Sequence, residues 1–453
     1  MENVAVNFND RPPLPMSLLI ALQHLLAVFG AVVAPPLILA HGMQLSEVDT
    51  AYLVSASLFI SGIATFIQIH RFGPLGSGLL SIQGTSFTFI GPLLAVYFLL
   101  LENHAPQQAL GIVMGSCAVC ALVVGICTRF VQRLRTFIST NVTGTAVILI
   151  GAMLVYTTLQ NLWREFTAFE QAGDASWLVP LLAAAVFGIT LFLSRQRNRY
   201  LRIASITVGL LVAFAIALLF DLVDFSGLKN LQPMFIPEFN HFPLAVDFGV
   251  VAVLLPVFFI SSVETLGDLT ATSRLSSIEV GSQNYWQRVR GGLSGDAFNS
   301  FLAALFGSFP NTSFSQNNGV IRLTGVCSPY IGRFVAIFMC LLGASPLVAG
   351  LFIAIPAALV YGATLLMFFL VLLAGIDIVN AGDNAVKSWP LVITAVIAGV
   401  GVSLLARYLP FLPDRLAALL QFPISTGAVI ALLIEMARHT LPVTVGSAAR
   451  SET

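Results

Sequence analysis

Phe309-Pro310-Asn311-Thr312-Ser313-Phe314-Ser315-Gln316-Asn317-Asn318-Gly319 interrupts an otherwise apolar chain, and it has a counterpart in Gly73-Pro74-Leu75-Gly76-Ser77-Gly78-Leu79-Leu80-Ser81-Ile82-Gln83-Gly84-Thr85-Ser86-Phe87. With their flanks, near 311–328 and 76–101, both stretches are apolar enough to lie in a bilayer, yet glycine, proline and polar residues break each one. Unwound backbone at membrane depth is tolerated only where protein buries it or where it lines a polar cavity. Outward from these two stretches, apolar runs occur near 16–40, 50–70, 107–127, 137–158, 176–194, 203–222 and 248–272, then near 292–309, 331–345, 352–376, 389–406 and 416–436. At ~20 residues per crossing, the total is about fourteen membrane segments. The interrupted stretches are then the third and the tenth, in matching places of two halves of seven. Because seven is odd, the second half runs through the membrane in the opposite sense, and the repeat is inverted. Paired broken helices at corresponding positions of two repeats predict a transporter's binding site near the bilayer midplane.

Composition agrees with a membrane setting. Of 453 residues, 57% are apolar and 9% are charged, against about 25% charged in soluble domains. Most of the surface therefore meets lipid. A net charge of zero gives no basis for a nucleic-acid partner. The polar stretch Met1–Asp10 and Arg11-Pro12-Pro13 lead directly into the first apolar run, which predicts that this first helix is retained. Five cysteines, Cys117, Cys120, Cys127, Cys327 and Cys340, lie mostly in apolar runs. The Cys117–Cys120 pair has no histidine or second cysteine pair nearby, so packing is expected there and no metal site or disulfide.

Arginines set the orientation. With a cytoplasmic N-terminus, the loop after segment four holds Arg129, Arg133 and Arg135; that after segment six holds Arg195, Arg197, Arg199 and Arg202; that after segment eight holds Arg274, Arg288 and Arg290. The outer side keeps Arg164, Lys229, Arg407 and Arg415. The bias follows the positive-inside rule and places both termini in the cytoplasm.

Three acids fall inside apolar runs: Glu264 and Asp268 in segment eight, and Asp296 in segment nine. Each costs about 2.5–3.5 kcal/mol to insert, so each is expected to face protein or a cavity. Glu264 and Asp268 are one turn apart, on a face shared with Ser261 and Thr272. Like charges at that spacing repel and burial disfavours charge, so at least one is expected to hold a proton at neutral pH. Such a carboxyl is what proton coupling needs; the alternative role is a pair of satisfied interhelical hydrogen bonds. Gln316, Asn317 and Asn318 stand at the break of segment ten. If a half-helix starts there, its free N–H groups favour an electron-rich ligand, and an amide beside a carboxylate could read the adjacent N–H and C=O groups of a purine dione. A plain polar turn would use the same residues. His24, next to Gln23 in segment one, is either a helix-to-helix hydrogen-bond partner or part of the site. Gln83, Thr85 and Ser86 either line the cavity or simply allow close packing.

Several of these stretches resemble one known family. Gln316-Asn317-Asn318-Gly319, four residues, then Thr324-Gly325 is similar to the signature of the nucleobase–ascorbate transporters, also called nucleobase-cation symporter family 2. Ser262–Thr272 resembles that family's eighth segment, Gly291–Asp296 its ninth, Gln23–Ala27 its first and Leu80–Phe87 its third. Within that family the chain resembles the bacterial xanthine permeases. The resemblance implies an all-α polytopic protein in the inner membrane, with two inverted seven-segment repeats, broken segments made of a short extended strand plus a half-helix, homodimerisation, and elevator-like movement of a core domain against a gate domain. The expected division is a cytoplasmic tail at 1–14, core at 15–130 and 246–345, gate at 136–222 and 347–437, and a cytoplasmic tail at 438–453.

The implied activity is proton-coupled import of a purine base, xanthine first, with no cofactor and membrane lipid as surroundings. The resemblance assigns substrate contact to Glu264, Gln316, Ser86, Phe87 and Asn317; it implies that Asp268 and Asp296 serve proton coupling or hold the core together, with His24 supporting that network. Glutamine at position 316 fits the purine branch over uracil. Ser86 stands where some xanthine transporters carry asparagine, which leaves uric acid, or guanine and hypoxanthine, as alternatives. A uracil symporter and an anion exchanger of the same fold are further alternatives, the latter disfavoured because a carboxylate at Glu264 repels anions. Intramembrane aspartyl proteases also use two embedded aspartates, but here Asp268 and Asp296 each follow glycine where a tyrosine is expected, and Pro356-Ala357-Ala358-Leu359 has one alanine too many. A permease and not an enzyme is expected.

Overall fold

The structure is a computed structural model that describes residues 6–130, 140–171, 178–198, 201, 205–220, 222–223, 234–380, 385–406, 420 and 423–440. Arg133, Arg135, Arg199, Arg202, Lys229, Arg407 and Arg415, the end of the C-terminal tail and most of the start of the run near 416–436 lie outside these residues.

The described helices are α1 (Leu14–Gly42), α2 (Glu47–Ile69), α3 (Ile90–Leu101), α4 (Pro106–Cys127), α5 (Thr140–Gln171), α6 (Leu178–Ser194), α7 (Ser205–Leu219), α8 (Phe248–Leu275) and α9 (Gln283–Leu305). They continue with α10 (Ser315–Thr324), α11 (Pro329–Gly343), α12 (Pro346–Ile353), α13 (Ala357–Asn380), α14 (Ala385–Ala406) and α15 (Pro423–Thr440). Six are long and apolar enough to cross a membrane, seven if the bent α1 counts as one span. The protein is thus a multi-pass membrane protein. Its helix starts follow from the local sequence. The Ser46 hydroxyl accepts from the Asp49 N–H at the start of α2, and Asp247 accepts from Gly249 and Val250 at the start of α8. Ser282 accepts from Tyr285 N–H and so begins α9 well before residue 292. Arg288 and Arg290, expected in a loop, therefore belong to the first turns of α9. The run near 352–376 is likewise two helices, α12 and α13, meeting at Pro356, whose ring cannot continue a helix.

With no hydrophobic drive between helices in lipid, contact depends on small residues that let backbones approach. Gly62 of α2 faces Ala336 and Cys340 of α11, and Gly343 of α11 faces Phe59. Gly144 and Gly151 of α5 face Val379 and Leu372 of α13, while Gly399 and Gly427 join α14 to α15. The α4 helix packs on α8 and α9.

The interrupted stretches meet one another at the centre. Strand β1 (Gln83–Thr85) pairs antiparallel with β2 (Asn311–Ser313), Gly84 opposite Thr312. The ladder extends at both ends, from Ser86 N–H to Pro310 O and from Phe314 N–H to Ile82 O, each 2.9 Å. Neighbouring helices hold each strand in a similar way. Thr65 Oγ1 of α2 accepts from Gln83 N–H at 2.9 Å, and Ser300 Oγ of α9 accepts from Asn311 N–H at 3.1 Å. After β1 the chain turns through a 3-10 helix at Phe87–Phe89 into α3; after β2 it enters α10. The approach to β1 needs Gly76, whose φ of +87 and contact with the carbonyls of Ile67 and His70 exclude a side chain. Residues 6–10 lie against the same body. Val6 bridges Val326, Cys327 N–H donates to Val6 O, and Phe8 packs with Leu79, Leu269 and Tyr285.

Candidate functional site

Two helix starts converge on the strand crossing, and two acids of α8 approach it from the side. Ser86 Oγ accepts from Thr88 N–H and fixes the turn after β1. The Thr88 hydroxyl then donates to Glu264 Oε2 at 2.8 Å. One turn further along α8, Asn318 of α10 donates to Asp268 O and Oδ1 at 3.3 and 3.4 Å. Thr272 Oγ1 closes that corner by donating to Asn318 Oδ1 at 2.6 Å. Glu264, Asp268, Gln316 and Asn318 are all half-buried, while Ser315 and Gly319 are exposed. The α8–α10 face therefore retains access from outside the protein.

The third acid behaves differently. Asp296 is buried, and its carboxyl accepts four bonds: Gln68 Nε2 of α2 at 3.2 Å, Thr265 Oγ1 of α8 at 2.5 Å, Ser313 N–H at 3.3 Å and Ser313 Oγ at 3.4 Å. It joins α2, α8, α9 and β2, and the donors around it offset the cost of burying its charge.

The other expected residues fall on both sides of this division. Phe87 presents its ring 6.3 Å from that of Phe314 and 5.5 Å, edge-on, from Phe368 of α13. Ser86 is fully buried, and its hydroxyl caps its own turn. Asn317 is buried and donates to Leu80 O at 2.6 Å, which ties α10 to the chain before β1. His24 is fully buried beside Asn317, and among the described residues neither ring nitrogen has a partner of hydrogen-bond geometry. Arg322 is exposed in the last turn of α10.

Among the described residues, several buried acceptors near the crossing have no partner of hydrogen-bond geometry: Gln316 Oε1, Asn317 Oδ1, Gln83 Oε1 and Asp268 Oδ2. Unsatisfied buried polar atoms are rare in folded proteins, and of this set those on the half-buried Gln316 and Asp268 are the ones placed to receive N–H donors from a polar ligand. A cavity of about 550 Å³ lies on another face of α8, lined by Leu255, Phe259, Val263 and Leu266 with Leu293 and Leu432. Its walls are almost wholly apolar, so they can accommodate hydrocarbon and have little with which to orient a polar molecule.

Two partners escaped the sequence. Thr88 directly follows the Gly73–Phe87 stretch, and its position in the first turn after the break is the signal for it. Glu435 of α15, buried and bonded by Asn141 Nδ2 at 3.3 and 3.5 Å, is a fourth acid in an apolar run. The same insertion cost that marked Glu264 marks it too.

Residues 16–408 match the Xan_ur_permease family, described as a permease family. The chain belongs to this family, the nucleobase–ascorbate transporters. It is 36% identical to the xanthine permease XanP of Escherichia coli K12 over 94% of this chain and 93% of that one. To the xanthine permease XanQ of the same strain it is 33% identical, over 96% and 94%. Among solved structures it resembles the transmembrane domain of the cyanobacterial bicarbonate transporter BicA (TM-score 0.54, 15% identity, 96% of this chain and 99% of that one). It also resembles the murine anion transporter Slc26a9 (TM-score 0.57, 16% identity, 95% and 70%). At such identities the two structures bear on fold alone. Family and sequence relatives are permeases, so the protein is a transporter and not an enzyme.

Proposed function

We propose that the protein is a proton-coupled symporter that imports a purine base, xanthine in the first instance, across the inner membrane. The observation that carries this is the placement of two half-buried polar residues beside the strand crossing: Glu264 of α8, bonded by Thr88 at one carboxyl oxygen, and Gln316 at the start of α10. A xanthine edge offers N–H groups to both acceptors, and the Phe87 ring offers a flat apolar surface to its plane. Similarity to two xanthine permeases supports the choice of base. Asp268, one turn from Glu264, is the candidate for sharing the coupled proton, and His24 and Asn317 shape the wall behind.

The wider architecture belongs to the same proposal: fourteen segments in two inverted repeats, both termini cytoplasmic, and a homodimer. A core of 15–130 and 246–345 carries the site past a gate of 136–222 and 347–437. Opposed short strands followed by half-helices support the inverted repeat. The Phe87–Phe368 contact is then one place where core meets gate.

Radiolabelled xanthine uptake into cells expressing the protein tests the function. Saturable uptake is expected, competed by unlabelled xanthine more strongly than by uracil, and lost when a protonophore collapses the gradient. Uptake that resists the protonophore and requires sodium would overturn the coupling. Stronger competition by uric acid, guanine or hypoxanthine would reassign the base.

A further inference from the structure

We propose that Thr88 is a positioning residue whose hydroxyl holds the Glu264 carboxyl in the orientation that receives the base; this rests on the site described under the proposed function. Thr88 is 1% exposed and belongs to the 3-10 turn that joins β1 to α3. Its place is fixed from two sides. Ser86 N–H bonds Pro310 O across the strand crossing, and Ser86 Oγ accepts the Thr88 N–H. A β-branched side chain on so constrained a backbone has few rotamers, so the hydroxyl reaches Glu264 from a rigid support.

A hydroxyl has one proton to donate, and Thr88 gives it to Glu264 Oε2 at 2.8 Å. Among the described residues no bond to Glu264 Oε1 is present, so one carboxyl oxygen is tied down and the other remains for a ligand N–H. A glutamate has three side-chain torsions to order when it binds something. A tether that orders them beforehand improves affinity without touching the ligand. Thr88 lies on the strand-crossing element and Glu264 on α8, so the bond also fixes the distance between the two parts of the site.

The test compares Thr88→Val, which keeps the shape and removes the donor, with Thr88→Ser, which keeps the donor and removes the methyl group. Each is measured for radiolabelled xanthine uptake over a concentration series and normalised to membrane abundance. The expected result for Thr88→Val is a KM raised about tenfold or more, with the maximal rate and abundance near wild type; Thr88→Ser is expected to return KM to within about threefold. A wild-type KM in Thr88→Val overturns the proposal. So does an equal loss in both variants, which would assign Thr88 to packing. Glu264→Gln separates the two levels of inference. If that variant takes up xanthine like wild type, the site itself is wrong. If it is inactive while Thr88→Val is unaffected, Thr88 alone is wrong.

Discussion

Asp296 and Glu264 are both carboxylic acids inside apolar helices, and their surroundings differ in every respect that matters. Asp296 is sealed between α2, α8 and β2 with four hydrogen bonds to its two oxygens. Among the described residues Glu264 has one bond, from Thr88, and it keeps an open side. Position in an apolar run therefore says only that an acid has a purpose. The number of donors around it says which purpose: a saturated carboxyl is a joint, and an unsaturated one has capacity left for a ligand or a proton.

The contrast can be broken first at the joint. Asp296→Asn turns an acceptor-only group into one whose amide N–H₂ faces the donors of Thr265, Gln68 and Ser313. Disrupting such a buried network costs about 3–5 kcal/mol, and the expected outcome is a marked loss of folded protein in the membrane and of thermal stability in detergent. Wild-type abundance and melting would remove Asp296 from the role of joint.

A second variant acts on the crossing that both acids flank. At Gly84 a Cβ would run into the Phe314 ring, so Gly84→Val is expected to cost about 1–3 kcal/mol through overpacking. It should lower both abundance and uptake, measured together on the same membranes. The smallest effect is expected at Asn318→Ala, which removes the bonds to Asp268 and Thr272. A loss of about 1 kcal/mol, read as a few-fold rise in KM with unchanged abundance, would show that this corner orders the open face. An effect as severe as that of Asp296→Asn would erase the distinction between joint and site.

Much of this was legible in the chain. Glycine, proline and amides at 73–87 and 309–319 mark the two breaks because no lipid-exposed helix tolerates such a run. The three acids stand out because insertion is costly. The half-helix beginning at Ser315 follows from the same pattern. What escaped is what depends on partners far along the chain. The family resemblance implies a short strand in each broken segment, but three-residue strands separated by more than two hundred residues have no periodicity to reveal their pairing, and their register exists only once α2 and α9 hold them. For Ser86 the sequence leaves cavity lining and close packing open; its hydroxyl accepts a bond within its own turn, where small polar side chains compete well for backbone N–H groups. Thr88, by contrast, carries the bond to Glu264. The start of α9 is hidden in the sequence because polar Asn284, Gln287 and Arg288 precede the apolar run in a helix that Ser282 caps.

The central claim is that Glu264 acts on the ligand and leaves the scaffold unaffected. Glu264→Gln keeps the side chain's size and its bond-accepting oxygen while removing the charge. Measured side by side with wild type for xanthine uptake, membrane abundance and melting in detergent, it is expected to match wild type in the last two and to lose uptake by a hundredfold or more, about 2.7 kcal/mol or above in transport terms. Uptake at the wild-type rate, or a Glu264→Gln protein that fails to fold, would contradict the account.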